Sequence, residues 1–165
     1  ARIVLQTSTE ISASKLLDQI NKAICDDEKV SEVFITLSLV LIDKETNILY
    51  YSGAGDLPLI YKNYNKNSVD EVDSDGILLG FNEDTEYEDI ELNLNSNDVI
   101  LIITDGILES RNAEGEQYGM ERLKQKLTGA DSTKKGYFGE LKKDFEKFTN
   151  SKFEDDVSLI GVRKL

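Results

Sequence analysis

Apolar side chains change their spacing several times along the chain, and each change marks an element. Leu16, Leu17, Ile20 and Ile24 recur at helical spacing behind Ser12, a good helix cap, so residues 1–27 read as helix in two pieces. From residue 32 the period becomes two. Val33, Ile35, Leu37, Leu39 and Leu41 alternate with Phe34, Thr36, Ser38, Val40 and Ile42, which predicts a long strand with one strongly apolar face. The polar stretch 43–47 turns the chain, and 48–52 returns as the antiparallel partner. Residues 53–58 interrupt that pattern before Leu59, Ile60 and Tyr61 resume it. A turn at 63–67 leads to a weak strand around Val69 and Val72, then to an acidic tract ending at Gly76. Residues 87–94 alternate again, with Ile90, Leu92 and Leu94 on one face. The run 99–104 is continuously apolar, as in a strand covered on both faces. Two helices follow, at 120–127 and 133–149; the second carries Phe138, Leu141, Phe145 and Phe148 on one stripe. Residues 157–162 close the chain as a buried strand.

The order of elements is helix, antiparallel strands, two helices and a last strand. With 165 residues, no internal repeat and no Pro/Gly-rich linker, this reads as a single α+β domain spanning 1–165, of layered sheets with flanking helices.

Composition narrows the chemistry. The chain has no histidine, which removes Ser-His-Asp and Cys-His catalysis and every histidine-containing zinc site. Its one cysteine, Cys25, lies beside the first helical stripe, and position 31 holds Ser where a cysteine-dependent phosphatase would need arginine. What remains is carboxylates: 32 Asp plus Glu against 19 Lys plus Arg, a net charge of -13. That charge repels nucleic acid and anionic membranes, so neither is an expected partner. No stretch approaches the ~20 apolar residues of a membrane-spanning helix, and no signal peptide is visible, which points to the cytoplasm. The chain begins at Ala1, inside a helical pattern, as a fragment or a processed chain would.

Two carboxylate positions stand out. The apolar run 99–104 delivers Asp105 to a sheet edge, and Gly106 behind it permits close approach of a ligand or another backbone. Asp155 and Asp156 directly precede the final strand. If Asp105 and Asp155 occupy neighbouring strand ends, their repulsion calls for a cation, and an all-oxygen donor set favours Mg²⁺ or Mn²⁺ over zinc. The tract 71–76 imitates part of an EF-hand loop but places Glu71 first and Asn82 twelfth, where Asp and a bidentate Glu are required, so it reads as an acidic loop.

The motifs also come in a specific order: F-I-T-L at 34–37, A-G-D-L-P at 54–58, G-I-L-L-G at 76–80, and N-D-V-I-L-I-I-T-D-G-I-L-E-S at 97–110. Asn112, Gly115, Tyr118 and Gly119 follow, then F-E-D-D-V-S-L-I at 153–160. This succession resembles the SpoIIE/RsbU branch of the metal-dependent (type 2C, PPM) serine/threonine protein phosphatases. The resemblance implies an antiparallel β-sandwich flanked by helices (αββα layers), truncated at its N-terminus. It implies two Mn²⁺ or Mg²⁺ ions and water attacking a phosphoserine or phosphothreonine. Asp105 and Asp155 match metal ligands; Gly106, Glu109 and Asp156 match supporting positions. The implied substrate is a phosphorylated anti-anti-sigma (STAS) protein in sigma-factor regulation, and a sensor domain often precedes such a domain. Two departures stand inside the motifs: Asp56 takes the place of the family's histidine in A-G-H-x-P, and Leu78 that of a proline. The family's early acidic ligand and G-D-x-x-G-x-G element would precede Ala1, so this stretch alone is expected to carry half the metal shell and little activity. The alternative is a degenerate phosphatase fold serving as a non-catalytic binding or regulatory module.

Overall fold

The structure is a computed structural model, and the residues it describes are 12–26, 34–150, 152–153 and 155–165. The first helical piece and the predicted start of the long strand at 32–33 lie outside them. In chain order the elements are α1 (Ala13–Cys25), β1 (Leu37–Ile42), β2 (Ile48–Ala54), β3 (Leu59–Asn63), β4 (Ser68–Val72), β5 (Ile90–Asn93), β6 (Val99–Ile103), α2 (Asp105–Glu109), α3 (Gly119–Gly129), α4 (Tyr137–Phe148) and β7 (Leu159–Arg163). They divide between two compact units. One runs to Asp56 and takes in Ser74–Asn93; the other comprises Leu57–Asp73 and Leu94–Leu165.

In the first unit, β1, β2 and β5 form an antiparallel sheet in that order. Asp43 closes the β1–β2 hairpin by accepting from the Glu45 and Thr46 amides, and Asn47 takes the left-handed conformation that ends the turn. Ser12 caps α1 as its position predicts, accepting from the Lys15 amide. The buried face of α1 places Leu17 with Ala54, Leu79 and Tyr87. Asn21, fully buried, donates to the Asn82 carbonyl and accepts from the Gly80 amide, tying that loop to the helix. The strand predicted over 87–94 is shorter, because its first residues bond to α1 instead of to the sheet. The Tyr87 amide donates to Asp18, and Asp89 accepts from the Ser12 hydroxyl and the Ser14 amide. β1 shows no strongly apolar face; all but the exposed Ile42 are half-buried.

The second unit is built on an antiparallel sheet ordered β4-β3-β6-β7. Here lies one difference from the sequence pattern. Leu59–Tyr61 do not resume the β1–β2 hairpin but open β3 in this separate sheet, so 53–58 is a passage between sheets. β6 sits between β3 and β7 and is buried almost throughout, which accounts for its unbroken apolar run. β7 is an edge strand with β6 as its sole partner among the described residues. Its residues alternate between half-buried and exposed, with Ile160 61% exposed, so the expected buried strand is corrected to a half-covered one. Tyr118 packs edge-on against Phe145 and Phe148, holding α4 over the core that Leu123 and Leu127 of α3 complete. Asp98 is buried and accepts from the Tyr61 hydroxyl and the Tyr64 and Asn95 amides, which satisfies a carboxylate that would otherwise be costly to bury.

Candidate metal centre

The antiparallel pairing of β6 with β7 brings the end of one strand beside the start of the other, with Ile103 opposite Leu159. One residue further, the Thr104 amide donates to the Ser158 carbonyl at 3.1 Å. The Thr104 hydroxyl accepts from the Ser158 amide at 2.9 Å and donates to the Asp156 carbonyl at 3.0 Å. A single threonine thus clamps the turn 155–158 to the end of β6. Asp105 is the next residue and the first of α2. The clamp therefore sets Asp105 and the Asp155–Asp156 pair at the same end of the sheet.

Gly106 makes this approach possible. A Cβ there would lie 2.5 Å from the Asp156 carbonyl oxygen and 3.1 Å from its carbon, closer than packing allows. The Ser110 hydroxyl donates to the Gly106 carbonyl at 2.6 Å and closes the short helix. Each aspartate is anchored locally: Asp105 Oδ1 accepts from the Gly106 amide, and Asp155 Oδ1 from the Asp156 amide. Asp105, Glu109, Asp155 and Asp156 are all exposed.

A cavity of about 250 Å³ opens here, lined by Gly106, Glu109, Ser110, Arg111, Gln117 and Asp155. Of the residues singled out in the sequence, it gathers Gly106, Glu109 and Asp155, with Asp105 at the adjoining start of α2. Asp156 accepts from the Thr104 hydroxyl through its carbonyl, and Asp155 and Asp156 both also line a larger, mostly apolar cleft with Phe145, Phe153 and Leu159. Three contributors were not legible beforehand: the Thr104 clamp, Arg111 and Gln117. Thr104 belongs to the T-D-G motif, which is the one signal that pointed to it. Asp56, in the other unit, accepts from the Ser38 hydroxyl at 2.8 Å.

The donor set is carboxylate oxygen, which suits a hard dication held by one or two carboxylates with water completing its shell. Among the described residues no three His, Cys, Asp or Glu side chains form a group that could hold a metal ion. Asp105 and Asp155, at one end of the sheet, are of the chemistry that suits part of such a shell.

Comparison with known proteins agrees with this architecture. The family model described as Stage II sporulation protein E (SpoIIE) matches residues 3–164. The phosphoserine phosphatase RsbU of Bacillus subtilis (strain 168) is 25% identical over 162 residues, covering 94% of this chain and 46% of RsbU. The chain thus spans about half the length of that curated relative. The PP2C phosphatase domain of the cell fate determinant SpoIIE from Bacillus subtilis, solved with a fragment of its regulatory domain, superposes with a TM-score of 0.75. It is 20% identical over 94% of this chain and 45% of that one. The Mn-presoaked SpoIIE phosphatase domain gives 0.62 at 19% identity, covering 99% of this chain and 77% of that one. These likenesses show the α+β, type 2C phosphatase-like fold that the motif order implies.

Proposed function

The chain belongs to the SpoIIE family, and from that premise we propose that it acts as a metal-dependent protein phosphatase, removing phosphate from phosphoserine or phosphothreonine on a regulatory protein. The observation that carries the reading is the junction of β6 and β7, where the Thr104 clamp and the missing Gly106 side chain hold the two aspartate-bearing segments together. In this reading 1–165 is one catalytic domain, and Asp105 and Asp155 bind Mn²⁺ or Mg²⁺, two ions in the complete site. When bound, the ions supply Lewis acidity, lowering the pKa of water and neutralising phosphoryl charge.

The chain's own residues supply the rest. The chain has no histidine and its one cysteine, Cys25, lies on α1; in this reading the attack on phosphorus falls to water, as the motif resemblance implies. Asp105 and Asp155 fix where positive charge is held, and Gly106 and Thr104 keep those carboxylates in register. Glu109 borders the cavity as a further acceptor for water. A phosphorylated STAS-type anti-anti-sigma protein of the cytoplasm, in bacterial sigma-factor regulation, is the substrate the motif resemblance implies, and the likeness to the phosphoserine phosphatase RsbU supports a phosphoserine on it.

A second reading has its own observation. No group of three potential metal ligands exists among the described residues, and Asp56 stands where the family pattern has histidine. Both favour a phosphatase fold retained as a binding module. Turnover of a phosphoserine peptide against manganese concentration, measured on the full-length protein, separates the two. Asp105→Asn and Asp155→Asn are expected to lose at least ~100-fold in turnover, equivalent to about 2.7 kcal/mol of transition-state stabilisation. Their apo melting temperatures should hold or rise, since each change removes a repelling charge. Asp43→Asn, in the β1–β2 turn, should leave turnover unchanged. Full activity in Asp105→Asn would refute the ligand role, and its loss together with a collapsed melt would make Asp105 structural. A wild-type protein inert at every manganese concentration would favour the binding module.

A further inference from the structure

We infer that Arg111 is the residue that grips the phosphate of the substrate, an inference that rests on the phosphatase reading and deepens it. The cavity beside Asp155 is lined by two carboxylate side chains, Glu109 and Asp155, and Arg111 is the one cationic side chain among its lining residues. A phosphate dianion entering this cavity, in a chain of net charge -13, meets repulsion from both carboxylates. A guanidinium offsets it and offers a planar fork of donors matched to two phosphoryl oxygens.

The other arginines among the described residues are engaged elsewhere. Arg122 lies over the rings of Tyr118 and Phe148, and Arg163 donates to the carbonyls of Ser132 and Lys134. Arg111 forms no ion pair among the described residues. It is exposed and gives one Nη1 hydrogen to the Gly115 carbonyl at 2.7 Å, which leaves the rest of its donors for a ligand.

Its backbone is held in place. Arg111 bridges to Gln117 across a tight loop, the Tyr118 amide donates to the Ser110 carbonyl, and Asn112 Oδ1 accepts from the Glu114 and Glu116 amides. The loop that carries the fork is thus ordered before phosphate arrives, which lowers the cost of binding.

The decisive variant is Arg111→Gln, which removes the charge but keeps a side-chain N–H for Gly115. In the full-length protein with manganese, Arg111→Gln and Arg111→Ala are both expected to raise KM for a phosphoserine peptide and Ki for inorganic phosphate by about tenfold. The melting temperature of Arg111→Gln should be unchanged, Arg111→Lys should recover part of the loss, and Lys142→Ala should match wild type. Wild-type KM and Ki in Arg111→Gln would overturn the assignment. So would loss of its folded state, which would make Arg111 a structural tether.

A second measurement separates this inference from the reading beneath it. In the magnesium-loaded protein, the Arg111 Nε–H resonance should shift as inorganic phosphate is titrated in. An active phosphatase whose Arg111 resonance stays fixed overturns the inference alone. A protein without turnover whose resonance moves overturns the phosphatase reading and keeps Arg111 as a phosphate site.

Discussion

A missing methyl group at Gly106 decides whether the two aspartate segments meet. The Asp156 carbonyl occupies the space an alanine Cβ would need, and that oxygen is also held by Thr104, so it cannot simply swing away. Gly106→Ala is therefore expected to displace the 155–158 turn from the end of β6. Overpacking of this kind typically costs ~1–3 kcal/mol. Turnover should fall with it, and urea unfolding alongside steady-state kinetics would show both; an alanine variant with wild-type stability and rate would mean the turn adapts freely. Residues at this scale were unevenly legible. Asp105 and Asp155 stood out because each follows or precedes an apolar strand, a pattern visible in one dimension. Thr104 as a clamp and Arg111 as a cavity cation depend on which backbone lies opposite, and that register is set by the tertiary pairing of β6 with β7.

Elements with a sustained apolar period were legible, and those held by polar contacts were not. α1 and α4 declared themselves at 3.6-residue spacing, and β6 by its unbroken apolar run. α2, with five residues, is too short to display a helical period. The stretch 87–89 alternates like a strand, yet spends its amide and carboxylate on α1. Lys62 is the most consequential case. It sits in the middle of β3, is 2% exposed, and donates to the carbonyls of Leu127 and Ala130 at the end of α3. There its charge meets the negative end of the helix dipole, and burial lowers its pKa from the ordinary lysine value. Lys62→Met should fill the space but take the lysine from both carbonyls, leaving Leu127's with the Ala130 amide alone, a loss of ~1–3 kcal/mol. Chemical denaturation would read it directly, together with earlier hydrogen exchange in the last turn of α3.

At the scale of the whole molecule, alkaline pH is a stress this protein should resist poorly. The Tyr61 hydroxyl, buried and donating to Asp98, has its pKa pushed up to about 12, and the buried Tyr137 hydroxyl rises to about 12 through desolvation. Tyr118, which donates to Asp144, moves the same way. The unfolded chain releases these protons near pH ~10, while the native state keeps them to a higher pH. The native state then binds more protons, so stability is intact below pH ~10 and falls as pH climbs from there toward 12. The lowered Lys62 value acts in the opposite direction and is outnumbered. Urea midpoints at pH 9, 10 and 11 should decline, and Tyr61→Phe should flatten that decline. An equal decline in the variant would exclude Tyr61 as a contributor.

The route of the chain between its two units bears on how such a protein is inherited and made. The first unit is interrupted by Leu57–Asp73, and the second takes up that piece together with everything after Asn93. Neither unit corresponds to one uninterrupted stretch of gene, so recombination cannot trade them as cassettes; a crossover at any boundary between them splits at least one of the two sheets. Synthesis on the ribosome faces the same order. The β3–β4 hairpin emerges early and waits for β6, and Asp105 waits in turn for Asp155 until α3 and α4 have been made. The two halves of the candidate centre meet only after that delay, so an interrupted translation product would carry Asp105 without the segment that completes its surroundings.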